Sequence, residues 1–304
     1  MTILFRISGS LVLALAASLV WTPNASAQVV VHSNEHLSST RPEAWAMNYV
    51  GASTLMTSFG ETPALAEASW MFAGDLGYIP KLSDAQQRIG FHGVKQEDLN
   101  KTPVFGRIRV ILGLPGEFVA ELGYTPPLSY HGVQPLDLFA YSIGRRIFER
   151  DGFTESLQAF GQTGRVQGDI TCPARLAGVD DPVRNPYGCQ AASNDHAFLT
   201  YYGVEATSAW TRQAWHAHAS LGVVRTEFAV EVDALTFSVR DRSRLVARGY
   251  LPFGTLGGSW DLDSHWNLGA EVLYVPLRVQ RELDGPTTSD PLTSARLQLV
   301  YRFD

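Results

Sequence analysis

The stretch SARLQLVYRFD (294–304) decides how the fold is read. From Ala295, every second residue is apolar or aromatic: Ala295, Leu297, Leu299, Tyr301 and Phe303. Arg296, Gln298 and Arg302 lie between them, so a strand here has one greasy face and one charged face. A soluble sandwich accepts that pattern, and so does a strand facing lipid.

The start of the chain narrows the choice. MTILFRISGSLVLALAASLVWTPNASAQ (1–28) carries one basic residue, Arg6, an apolar run over 11–20, and then Ala25, Ser26 and Ala27 in the small-x-small pattern of a signal-peptidase site. The expectation is a secretory signal over 1–27, cleaved before Gln28. A membrane anchor is the alternative, but the apolar core falls short of the roughly 20 residues a spanning helix needs. The two cysteines, Cys172 and Cys189, share one polar, Pro-rich stretch. In an exported protein an even pair predicts a disulfide. The metal-thiolate alternative lacks a completing His or further Cys nearby. A net charge of -6 excludes nucleic acid as a partner.

Beyond the signal no run approaches the length of a spanning helix, so a membrane protein of this sequence has to be a closed β-barrel. Segments of alternating polarity fall at 66–79, 104–113, 117–125, 136–147, 153–170, 197–209, 213–225, 244–260, 265–279 and 292–303. Their connections alternate strictly between short (LPGE, RDG, WTR, DLDS) and long. Short turns at one end, long loops at the other and an even strand number are the pattern of an outer-membrane barrel. The stretch 48–60 also looks like a strand, but an eleventh member breaks the parity. Twelve strands remain open if it pairs and 228–239 supplies another.

The last strand resembles the C-terminal strand of bacterial outer-membrane β-barrel proteins, which end on an aromatic residue read by the insertion machinery. Tyr301 and Phe303 fit that insertion signal, and Asp304 departs from it. The stretch from GYIPKLSD to VAELGYTPP (77–127) is similar to outer-membrane proteins of Gram-negative bacteria. The resemblance implies an all-β, transmembrane, antiparallel up-and-down barrel over 64–304, located in the outer membrane. It also implies that outer-membrane lipid and the barrel-assembly machinery are partners.

Strand parity turns a charged set inward: Asp75, Arg107, Arg109, Glu121, Glu205, Glu271, Arg296 and Arg302, with His216 and His218 on the same side. A barrel of about ten strands is too narrow for an open aqueous channel. These charges therefore either pair as a buried network or line a constriction that selects a small solute. The tight turn LPGE predicts that Arg109 and Glu121 face each other directly. Residues 28–63 form a separate segment, periplasmic or plugging the lumen. Within it, Thr40 and Glu43 have capping-box spacing and Pro42 suits the first turn of a short helix.

No catalytic constellation, metal site or cofactor motif is expected. His216 and His218 lack a placed carboxylate. Asp195 and His196 are adjacent, so they point oppositely, unlike the acid and histidine of outer-membrane proteases, which are two apart. The expected function is a narrow, porin-like barrel for passive uptake or diffusion of small solutes, hydrophobic ones included, of unknown identity. The alternatives are a structural or surface-binding barrel, and a hydrolase with a site at the rim around Asp169, Asp195 and His196.

Overall fold

The computed structural model describes residues 29–303, so the signal segment and its cut before Gln28 lie outside the described residues. Among those residues, ten long strands form the wall: β1 (Trp70–Tyr78), β2 (Val104–Gly113), β3 (Phe118–Thr125), β4 (Leu138–Arg150), β5 (Phe153–Thr163), β6 (Asp195–Arg212), β7 (Trp215–Glu231), β8 (Arg244–Asp261), β9 (Trp266–Val275) and β10 (Leu292–Arg302). Each pairs antiparallel with the next, and β10 pairs back onto β1. Closure leaves no strand edge, which is the condition for crossing hydrocarbon with strands. No described helix is long and apolar enough to cross a membrane.

Two sequence expectations need correction. β6 continues through Arg212, so the turn is Gln213 and Ala214 rather than WTR, with Gln213 in the left-handed region at φ 56°. The stretch 228–239 adds no wall strand: it extends β7 to Glu231, and Ala234–Thr236 then pairs with Val239–Asp241 in a small sheet outside the barrel. The count is ten.

The wall turns side chains alternately inward and outward. Along β9 every second residue is buried and the others are exposed, and β1 does the same. The outward residues sort by height. Trp70, Trp210, Trp215, Trp260 and Trp266 lie at the short-turn end with Phe72, Phe118 and Phe303, whereas Tyr78, Tyr141, Tyr202, Tyr250 and Tyr274 lie at the long-loop end. These are the two interfacial belts of a membrane barrel, and the apolar band lies between them. On β8 the belts are ten residues apart, about 33 Å along the strand and about 25 Å along an axis inclined at about 40°. The short turns are the periplasmic end and the long loops the extracellular end.

The N-terminal segment begins in the small sheet outside the barrel and then runs down the inside. Val29–Val31 pairs with Val239–Asp241 at the long-loop end, and Asn34–Leu37 lies parallel to the start of β8. Helix α1 (Pro42–Ser53) then fills the upper lumen with eleven of its twelve residues buried, most of them apolar, as suits a helix enclosed on all sides. Its first residue is Pro42 as predicted, but the N-cap is Arg41 with no side-chain cap, and Glu43 instead binds Arg41 and the His92 amide. Gly51 is required where α1 meets the wall, because a Cβ there would lie 2.3 Å from the Phe228 ring. Below α1, residues 54–62 descend the axis as an extended strap that takes up the stretch resembling a strand. Met71, Ala73, Ile111, Val119 and Val300 close the lower end against Leu65.

Cys172 and Cys189 are disulfide-bonded, with Cα atoms 5.6 Å apart. The bridge closes part of the long loop between β5 and β6, a constraint on the unfolded chain of about 3 kcal/mol in the chain-entropy picture.

Leu297 faces lipid opposite Ala270, midway between the belts, whereas Thr293 lies level with Tyr274. Leu297→Arg is expected to lower the unfolding free energy in lipid vesicles by roughly 2–4 kcal/mol, and Thr293→Arg by roughly 0–1 kcal/mol. Denaturant titration of both variants measures the depth dependence.

Candidate functional site

The inward charges converge on the strap. Arg107 donates to the Thr54 carbonyl at 2.8 Å and to Gln162 Oε1 at 2.6 Å. Arg109 donates to the Thr57 carbonyl at 2.9 Å while pairing with Asp75 at 2.5 Å and Glu121 at 3.1 Å. Arg296 donates to the Leu55 carbonyl at 2.7 Å and to the carbonyls of Ala52 and Ser53 at 3.3 Å, placing a cation on the C-terminal end of α1. Tyr201 accepts from the Met56 amide at 2.8 Å and donates to the Thr54 carbonyl at 3.1 Å.

The carboxylates hold the next residues down. Glu205 accepts from the Ser58 amide, Gln158 and Ser220. Glu271 accepts from the Thr57 hydroxyl at 2.5 Å and lies 3.4 Å from His218 Nε2. Burying a charge costs several kcal/mol unless it is paired and hydrogen-bonded, and a strap outside regular structure supplies free amides and carbonyls to these sets, which leave Arg107 Nε, Arg296 Nε and Glu271 Oε2 without a hydrogen-bond partner.

Arg109 and Glu121 do pair, but not as direct neighbours. The turn is centred on Gly116 at φ 75°, so Arg109 stands opposite Gly123 and Glu121 opposite Ile111, and the ion pair reaches diagonally across the ladder. Gly123 leaves room for the Arg107 stem, which would lie 2.7 Å from an added Cβ.

At the short-turn rim His216 lies between Thr211 and Asp261, 2.9 Å from each, and Arg302 binds Asp261 at 3.0 Å. Although His216 and His218 share a face, they belong to different networks. The extracellular trio does not converge. Asp195 accepts from the amides of Ile170 and Thr171 and from Ser193, whereas Asp169 binds Lys101 and the Ala174 amide. Tyr301 and Phe303 pack edge to face beside Trp70 and Trp266 in the lower belt.

Sequence reasoning placed Ser220 on the inward face but missed the other neutral members of the lumen: Gln158, Gln162, Tyr201 and the strap residues Thr54, Thr57 and Ser58. The wall residues among them share the inward parity of Glu205, which was the available signal. It also missed a cavity of about 270 Å³ at the long-loop end, between α1 and the wall of β6, β7 and β8. Ala46, Met47 and Val50 form its inner face, Leu199, Phe228 and Leu245 its outer face, and Phe91 lies at its mouth. Lys95 and Glu97, both buried, also line the cavity; Lys95 binds Glu97 at 2.9 Å and ties the β1–β2 loop to the Thr171 carbonyl at 2.6 Å.

No protein-family model and no curated protein matches the sequence. Solved barrels resemble the structure at low identity. The outer-membrane protease OmpT of Escherichia coli is 8% identical over 78% of this chain and 94% of its own, with a TM-score of 0.41. The toluene transporter TodX of Pseudomonas putida is 12% identical over 79% and 70%, with a TM-score of 0.31. The translocator domain of the autotransporter NalP from Neisseria meningitidis is 11% identical over 80% and 91%, with a TM-score of 0.34. Nothing about activity follows from likeness at this level.

Excising residues 29–62 is expected to leave a water-filled lumen. In planar bilayers the excised form should show steady conductance steps that the full chain lacks, and equal conductance would show that the strap does not seal the barrel.

Burial pushes the Glu97 carboxyl up from its ordinary 4.5 to about 7, against the opposing pull of Lys95. The folded state therefore holds this proton more tightly than the unfolded chain does, so its stabilising contribution is full below about pH 4.5 and fades as pH rises through about 7. Amide exchange across residues 84–101 should quicken between pH 5 and pH 7.5 beyond the intrinsic rate, and Glu97→Gln should remove that excess.

Proposed function

We propose that this bacterial outer-membrane β-barrel captures a small, predominantly apolar solute at its extracellular mouth as the first step of uptake. The cavity between α1 and the taller wall carries the reading. It is lined mainly by aliphatic and aromatic side chains, with a few charged ones, among them Arg41, Glu43, Lys95 and Glu97, the usual composition of a small-molecule site. Phe91, exposed at the mouth with a left-handed backbone (φ 51°), offers an apolar contact to an arriving solute. Passage beyond the cavity requires α1 and the strap to shift, because they fill the axis below it.

The many bonds that hold the strap favour a second reading, a binding barrel without transport. Both readings need the cavity to bind.

Calorimetric titration of the full chain in detergent with 1-naphthol, a neutral bicyclic probe, is expected to show saturable one-site binding. Met47→Trp and Leu245→Trp fill the cavity from opposite faces and should each weaken binding at least tenfold, whereas the lipid-facing Leu221→Trp should not. Absence of saturable binding, or indifference to both filling variants, would reject the site. Strap-dependent flux of the same probe into vesicles would then separate uptake from binding alone.

A further inference from the structure

We propose that the outer wall carries a binding site for a phosphorylated, acylated lipid of the outer leaflet, formed by Arg225 and a groove over β5. The site lies on the opposite side of the wall from the cavity and does not depend on it.

One row of the upper belt runs across five strands. Tyr141 stands opposite Gly161, Gly161 opposite Tyr202, Tyr202 opposite Arg225, and Arg225 opposite Tyr250. Arg225 is thus a cation set among lipid-facing tyrosines. Its side chain is exposed and its guanidinium lies 5.9 Å from the centre of the Tyr202 ring. Among the described residues no carboxylate comes within ion-pair distance of it. Glu227, two residues up on the same face, is occupied by Arg248 at 2.5 Å and does not neutralise Arg225.

One step below this row toward the bilayer centre, Ala159 lies between Ile143 on β4 and Val204 on β6. A methyl flanked by two branched side chains leaves a groove of about 450 Å³, with Tyr141 and Tyr202 at its upper end. Its walls are two strand spacings apart, roughly 9.6 Å, wide enough for a hydrocarbon chain between the side chains.

Depth and charge together identify the occupant. The groove opens onto hydrocarbon, so an alkyl chain fills it. Arg225 sits at the interface, two strands across from the floor of the groove and one step above it, at the height where lipid head groups carry their phosphates. A soluble anion satisfies the cation but not the groove, and a neutral lipid satisfies the groove but not the cation. A lipid with a phosphate above its chains satisfies both.

Native mass spectrometry of the full chain released from non-ionic detergent tests this with a bis-phosphorylated, hexa-acylated diglucosamine lipid and its dephosphorylated counterpart. The phosphorylated lipid is expected to form an adduct at least tenfold more occupied than the dephosphorylated one. Arg225→Gln and Ala159→Phe should each lower that occupancy at least tenfold, whereas Leu297→Phe on the opposite wall should leave it within twofold. Heat-modifiable migration on gels verifies that every variant is folded. Equal binding of the two lipids, or full occupancy in folded Arg225→Gln, would overturn the proposal.

Discussion

Three buried arginines grip the backbone of a strap. Arg107, Arg109 and Arg296 donate to the carbonyls of Thr54, Thr57 and Leu55, which have no partners in helix or strand. Each side of this contact depends on the other. Without the strap, the guanidinium groups lose acceptors inside a narrow barrel. Without the arginines, unpaired carbonyls are left away from water. Glu205, Glu271, Tyr201 and Gln162 complete the same arrangement, so strap and wall behave as one polar core threaded along the axis.

That core divides the lumen by height. The strap is polar where it meets charges, whereas α1 is mostly apolar and packs against Tyr201, Val224 and Phe228 in the upper half. The wall is uneven as well: β6, β7 and β8 have 17 or 18 residues, and the other strands have between 8 and 13. The tall side holds Asn34–Leu37 and forms the outer face of the cavity, and the loops stapled by the disulfide and by Lys95 lie over it. A single helix does not fill the space beside the tall wall, and the unfilled part is the cavity.

The outer surface follows a separate logic. Tryptophan and phenylalanine gather at the short-turn end and tyrosine at the other, consistent with amphipathic rings anchoring at both interfaces. Arg225 interrupts the tyrosine row. A charge at that height costs little, because it lies at the rim of the apolar band rather than within it.

Period-two alternation is local, since adjacent side chains on a strand point to opposite faces, and it carried most of the fold into view. SARLQLVYRFD alone separates the lipid face of Leu297 and Leu299 from the inward Arg296 and Gln298. The alternating loop lengths then supplied the even count and the up-and-down order. The inward charges were legible for the same reason, as was the pairing of two cysteines in one exported loop. The partners of those charges were not legible. Arg109 meets Glu121 on a diagonal because the turn centres on Gly116, and one residue of register is invisible to a pattern of period two. Residues 48–60 have strand-like composition, yet they become the end of α1 and the strap, because lumen donors and acceptors outweigh local preference once the barrel closes. The cavity and the Arg225 row join residues far apart in the chain, and only closure of the sheet brings them together.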